Sequence, residues 1–169
     1  ELPLDKKKKL MLRSFTSLSY LANVDMLDEQ RSEVNTFKAR QLFRLNWKIG
    51  EHSLGLKLDA IYRHIQSPRE DFDNFSNWYF SNGMTALLKL PWKIELSTDL
   101  TACTRTNYND PAMNGTEWIW NARLTRPFLK GRLLLTLDGY DLLAQHSNIT
   151  RIVNAQGRTE SYTNTLPHY

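Results

Sequence analysis

The stretch Phe37-Lys38-Ala39-Arg40-Gln41-Leu42-Phe43-Arg44-Leu45-Asn46-Trp47-Lys48-Ile49 decides the fold. Phe37, Ala39, Gln41, Phe43, Leu45, Trp47 and Ile49 occupy every second position, and Lys38, Arg40, Leu42, Arg44, Asn46 and Lys48 stand between them. Extended backbone sends successive side chains to opposite faces. The run therefore has one apolar face and one cationic face. Wound at 3.6 residues per turn, the same cations would encircle a helix and leave no face to bury. It reads as a β-strand.

The period of two recurs on both sides of this stretch. Leu54, Leu56, Leu58, Ala60 and Tyr62 alternate with Gly55, Lys57, Asp59, Ile61 and Arg63. Ile94, Leu96, Thr98, Leu100, Ala102 and Thr104 alternate with Glu95, Ser97, Asp99, Thr101, Cys103 and Arg105. Trp118, Trp120, Ala122 and Leu124, and then Leu133, Leu135 and Leu137, repeat the pattern. Two segments are less clean: Phe15 and Leu21 lie opposite the apolar face of the first, and Asn82 interrupts that of the fourth. The expectation is an all-β, antiparallel, up-and-down meander of about seven strands, over 9–24, 34–49, 54–64, 76–90, 93–106, 116–125 and 132–138. Connections around Gly50, Pro91 and Gly131 are short. Asp25 to Glu33, Ile65 to Phe75, Asn107 to Gly115 and Gly139 to Pro167 are expected as longer polar loops.

Composition narrows the classes without choosing the solvent. The chain has 169 residues, a net charge of +4, 41% hydrophobic and 24% charged residues. Such a balance excludes disorder and collagen-like sequence. The cationic surplus is spread along the chain and leaves no nucleic-acid footprint. No apolar run is long enough for a transmembrane helix, and the single Cys103 excludes a disulfide framework. A mean hydropathy of −0.52 suits a membrane β-barrel as well as a water-soluble sheet, because half of every spanning strand is polar.

Three features favour lipid over a soluble sandwich core. The strands exceed the five or six residues usual in soluble sheets and reach the 9–11 or so that a tilted spanning strand needs. The apolar faces of all seven carry no Lys, Arg, Asp or Glu. Tyr20, Tyr62, Trp78 and Trp118 stand where strands meet the long loops, and Trp47 and Trp92 stand at the short turns, as two membrane interfaces would select. The fold expectation is thus an arc of a transmembrane outer-membrane β-barrel.

Several segments resemble TonB-dependent-receptor-like outer-membrane β-barrel proteins. They are Pro91 to Leu100, Trp120 to Leu124 running into Phe128 to Gly131, Asp138 to Leu143, and Val153 to Glu160. The resemblance implies that residues 1–169 are the C-terminal part of such a barrel, with the final strand missing or begun only at Leu166 to Tyr169. For the parent protein it implies the bacterial outer membrane, a plug domain, the TonB system, and uptake of an extracellular solute. The opening Glu1-Leu2-Pro3-Leu4 has neither Met nor signal peptide, which also suggests a piece of a longer protein.

Catalytic motifs are absent: there is no G-x-S-x-G, H-E-x-x-H, Walker loop or dinucleotide fingerprint. The chain is expected not to be an enzyme and to use no cofactor and no metal. His52, His64, His146 and His168 lack ligand spacing, and Glu70, Asp71, Asp73 and Asn74 lack a full calcium-ligand set. The candidate functional residues are the charges expected to face a lumen: Lys38, Arg40, Arg44, Lys48, Lys57, Asp59, Arg63, Lys93, Glu95, Asp99 and Arg105. They contact a plug or anionic solute, or they pair with opposite charges across neighbouring strands. The rival functions are a soluble β-sandwich carbohydrate-binding module, using aromatics such as Trp118, and a structural or adhesive surface barrel without transport.

Overall fold

The computed structural model describes residues 2–27, 30–68, 74–108, 111–145, 149–154 and 157–162. Eight strands follow in chain order: β1 (Leu2–Pro3), β2 (Leu10–Leu27), β3 (Gln30–Ile49), β4 (His52–Gln66), β5 (Phe75–Leu90), β6 (Ile94–Thr106), β7 (Gly115–Phe128) and β8 (Leu133–Gly139). They form one open sheet in the order β1-β2-β3-β4-β5-β6-β7-β8, each antiparallel to the next. The all-β meander expected from alternation is therefore the fold, with the short β1 added at one edge. No helix among the described residues is long and apolar enough to cross a membrane.

Two expected loops are structured. Within Asp25 to Glu33, Asp25–Leu27 and Gln30–Glu33 continue the β2–β3 ladder, with Asp25 opposite Ser32, Met26 opposite Arg31 and Leu27 opposite Gln30. An antiparallel ladder is held by backbone groups, so a polar sequence does not end it. Gly139 to Pro167 contains a second hairpin, β9 (Ile149–Asn154) with β10 (Gly157–Tyr162), in a sheet of its own. Leu166 to Tyr169 lies outside the described residues.

The connections around Gly50, Pro91 and Gly131 lie together at one end of the sheet. Gly50 and Glu51 alone join β3 to β4, where Ile49 pairs with His52. Gly50 has φ +62°, the left-handed backbone that two-residue hairpins require. A Cβ at this position meets nothing within 4 Å, so the glycine is needed for its backbone and not for space. Gly50→Val is expected to cost about 1–2 kcal/mol, read as a lower urea midpoint for the chain folded in detergent micelles. An unchanged midpoint would mean that the turn tolerates a β-branched residue.

Register partners share a face, so the pairings assign each strand residue to one side of the sheet. One face carries rows such as Leu12–Leu45–Leu56–Met84–Leu100–Trp120, and the other carries Arg13–Arg44–Lys57–Gly83–Thr101. Burial inverts the water-soluble norm. Every buried strand position among the described residues lies on the polar face: Val34, Leu42, Asp59, Ile65, Asn77 and Ser81. On the apolar face many large side chains are exposed, among them Leu18, Phe43, Trp118 and Leu137, and others such as Leu45 and Leu100 are half-buried. A single-layer sheet buries side chains on one side when it curls toward that side, and the curl here is toward the charges.

Candidate functional site

The polar face is a lattice of charges, and most of the expected residues lie on it. Arg40 grips Asp59 with both ends of its guanidinium, Nε to Oδ1 at 2.9 Å and Nη2 to Oδ2 at 2.6 Å. Asp59 is only 4% exposed. Lys57 Nζ lies 3.9 Å from the same carboxylate and donates to Ser81 Oγ at 3.0 Å. Arg105 pairs with Glu117, Glu95 with Lys89, and Asp99 accepts from Asn121 Nδ2 at 2.9 Å. Arg123 pairs with Asp138 at the β7–β8 end of the face. Opposite charges on neighbouring strands thus account for Arg40, Asp59, Glu95 and Arg105, while Lys57 lies beside Asp59 on its own strand and is held by Ser81 on the next.

The remaining cations are placed differently. Lys38 stands opposite Arg63 in the ladder, and Arg63 stands opposite Asn77, whose buried Nδ2 has no hydrogen-bond partner among the described residues. Lys48 stands opposite Ser53 and is exposed. Lys93 departs from the expectation: it belongs to the 3-10 turn Pro91–Lys93, with φ +60°, and not to a strand wall. A three-residue connection between Leu90 and Ile94 takes it out of the alternation.

Arg44 lies between Arg13 and Lys57 in one rung of the ladder. Like charges directly opposite one another oppose pairing, so this rung is held together by the surrounding sheet. A cavity of about 470 Å³ opens beside it, lined by Arg13, Arg44, Lys57, Asn46, Gly55, Leu56 and Thr85. Arg13 was not among the expected residues. Its parity within β2 carries the signal, but the less clean alternation around Phe15 obscures it.

The expected interface aromatics gather on the apolar face. Tyr20 pairs in register with Phe37, and from there a continuous aromatic row crosses three strands. Phe37 lies edge-on to Tyr62 at 6.5 Å, Tyr62 meets Trp78 at 4.9 Å, and Trp78 stacks on Phe80 at 5.6 Å. Phe37 and Phe80 join this row only once the register is known. Trp118 follows on β7, while Trp47 and the 78%-exposed Trp92 mark the short-turn end. Between the two levels, Phe37 to Ile49 gives ~40 Å of strand at ~3.3 Å per residue. Tilted by about 45° this stands ~28 Å tall, comparable with the apolar band of outer-membrane barrels.

Polar groups within that band find partners on their own face. Gln41 donates from Nε2 to Ser14 Oγ at 3.0 Å and accepts from Thr16 Oγ1. Trp120 donates from Nε1 to Thr98 Oγ1 at 2.9 Å, and Thr98 donates in turn to the Asn121 carbonyl at 2.8 Å. Among the described residues, charges on the apolar face come only at its ends. Arg31 and Glu33 pair at 3.0 Å near the top of β3, and Arg126 lies over the Phe128 ring at 4.7 Å beside the last short turn.

Cys103 sits on the polar face between Ser81 and Glu117 in the ladder, near the Tyr79 hydroxyl. His52 Nδ1 accepts from the Lys89 backbone N–H, and His64 Nδ1 lies 2.8 Å from Ser76 Oγ. Among the described residues no group of His, Cys, Asp and Glu could hold a metal ion. Glu70, Asp71, Asp73, His146 and His168 lie outside the described residues or have no described side chain. Compared with models of known families, with curated proteins and with solved structures, the chain matches none.

Proposed function

We propose that this sheet is a C-terminal arc of the wall of an outer-membrane β-barrel resembling TonB-dependent receptors, and that the parent protein takes up a solute across the bacterial outer membrane. One observation carries the membrane reading: among the described strand residues the buried positions all lie on the charged face, while the other face presents large apolar side chains to its surroundings. Monomeric soluble proteins rarely expose apolar patches beyond a few hundred Å², and here exposed apolar side chains recur on β2, β3, β4, β5, β7 and β8. Lipid tails satisfy such a face. The charged face then lines an aqueous lumen, where a plug domain, coupled to the TonB system, and an incoming solute would meet it.

The open sheet edges give the reading a corollary. Unpaired backbone groups in hydrocarbon cost several kcal/mol each, so further strands of the parent, or further copies, must pair the outer edges of β2 and β8. The loops that join the strands at the end opposite Gly50 would face outward, as the longer loops of such barrels do.

The test is reconstitution. The chain, refolded from urea with lipid vesicles, is expected to float with them in a density gradient and to resist extraction by alkaline carbonate. A chain that folds and stays in the aqueous fraction would point instead to a soluble sheet, the glycan-binding module. Growth on limiting nutrients separates uptake from adhesion: a strain lacking the whole gene should grow more slowly, whereas an adhesive barrel would leave growth unchanged.

A further inference from the structure

We infer that the cavity on the polar face, between β2, β3, β4 and β5, binds a small solute through a phosphate or carboxylate group. Its volume of about 470 Å³ falls within the range of small-molecule sites, roughly 300–1,000 Å³. Three cations line it, Arg13, Arg44 and Lys57. Asp59, on the same face, gives both its oxygens to Arg40, and Lys57 reaches it only at 3.9 Å. Lys57 is instead fixed by Ser81. A planar guanidinium beside an ammonium suits an oxyanion, which can accept two parallel N–H bonds from Arg and a third bond from Lys.

At the floor of the cavity two polar side chains close over a glycine. A Cβ on Gly55 would lie 2.3 Å from Thr85 Oγ1 and 3.3 Å from Asn46 Oδ1. The missing side chain therefore lets Asn46 and Thr85 approach one another across β4, in the rung next to the cations. Gly83, opposite Lys57, carries no side chain, and Thr101 closes over it: a Cβ there would lie 2.8 Å from Thr101 Oγ1. The charged end of a solute thus faces Arg13, Arg44 and Lys57, and its polar body faces the Asn46 amide and the Thr85 hydroxyl.

The inference names the solute class for the uptake reading, and it rests on that reading only for the compartment from which the solute comes. The experiment is equilibrium dialysis of the full chain, folded in detergent micelles, against inorganic phosphate and, separately, citrate at low chloride. Saturable binding of one anion per chain is expected, at least tenfold weaker in Arg44→Gln and largely restored in Arg44→Lys. Lys48→Gln, on the same strand and face but outside the cavity, should bind like the parent. Binding of phosphate alone identifies a phosphate head, and binding of citrate alone a carboxylate. Absence of saturable binding by a chain that keeps its β-sheet circular dichroism overturns the site, as does equal weakening in Lys48→Gln, which would mean diffuse charge. Vesicle flotation of the same preparation separates the two proposals: a chain that floats without binding loses only the site, and one that binds without floating loses only the membrane setting.

Discussion

Leu100→Arg is expected to weaken folding into a bilayer by about 2–4 kcal/mol, the cost of Arg facing lipid at the midplane of a barrel. Leu100 lies near the centre of β6, in the apolar rung with Met84 and Trp120, far from the charges that end the band at Arg31, Glu33 and Arg126. From that depth the guanidinium has no short route to either interface. Ser97→Arg on the same strand points to the opposite, charged face, where Ser97 is exposed. It is expected to shift stability by less than about 1 kcal/mol. The comparison is made by urea titration of both variants in vesicles. Equal losses would remove the distinction between the faces, and with it the membrane reading. A Leu100→Arg loss that persists equally in detergent-free buffer would place a protein layer, and not lipid, against Leu100.

Arg40→Met is the second large effect. It leaves Asp59 buried without its bidentate partner, and breaking a buried ion pair from one side costs roughly 3–5 kcal/mol. Arg40 is itself 36% exposed, and Lys57 remains 3.9 Å away, so the loss should fall at the low end, about 2–3 kcal/mol. Adding Asp59→Leu to Arg40→Met is expected to recover most of it. The new leucine would stand opposite Leu42 in the ladder and beside Ile61, and no charge would remain without a partner. The double-mutant cycle reads this coupling directly. Additive losses would show that the two side chains act independently and that the contact contributes little.

The strands were legible because alternation is a local property. β3, β4 and β6 begin and end within a few residues of the positions expected from Phe37 to Ile49, Leu54 to Tyr62 and Ile94 to Thr104. Their ends were harder. Asp25 to Glu33 carries five charged residues and reads as a loop, yet its backbone pairs through Leu27 and Gln30. Lys93 continued the alternation on paper and lies in a turn, because three connecting residues between Leu90 and Ile94 interrupt the pleat.

The charge lattice was legible only in part. A two-residue turn at Gly50 fixes the β3–β4 register, so the rung Arg44–Lys57 follows by counting back from Ile49 and His52. The same counting sets Arg40 opposite Ile61, and the carboxylate it grips is one rung away on Asp59. Arg105 likewise faces Gly115 in register and reaches diagonally to Glu117. Diagonal reach comes from the twist of adjacent strands, which no residue spacing records. Where a long loop intervenes, as between β6 and β7, even the register is undetermined, because a flexible connection of several residues accommodates many offsets.

The amino-acid sequence by itself determined that this chain is a β meander with one apolar and one charged face, since side-chain direction in extended backbone depends on parity alone. Only the tertiary structure decided which charges meet, that Phe37, Tyr62, Trp78 and Phe80 form one aromatic row, and that Gly55 lets Asn46 and Thr85 meet beside three cations. Those features depend on register, twist and curl, which arise when strands pair and each neighbour constrains the next.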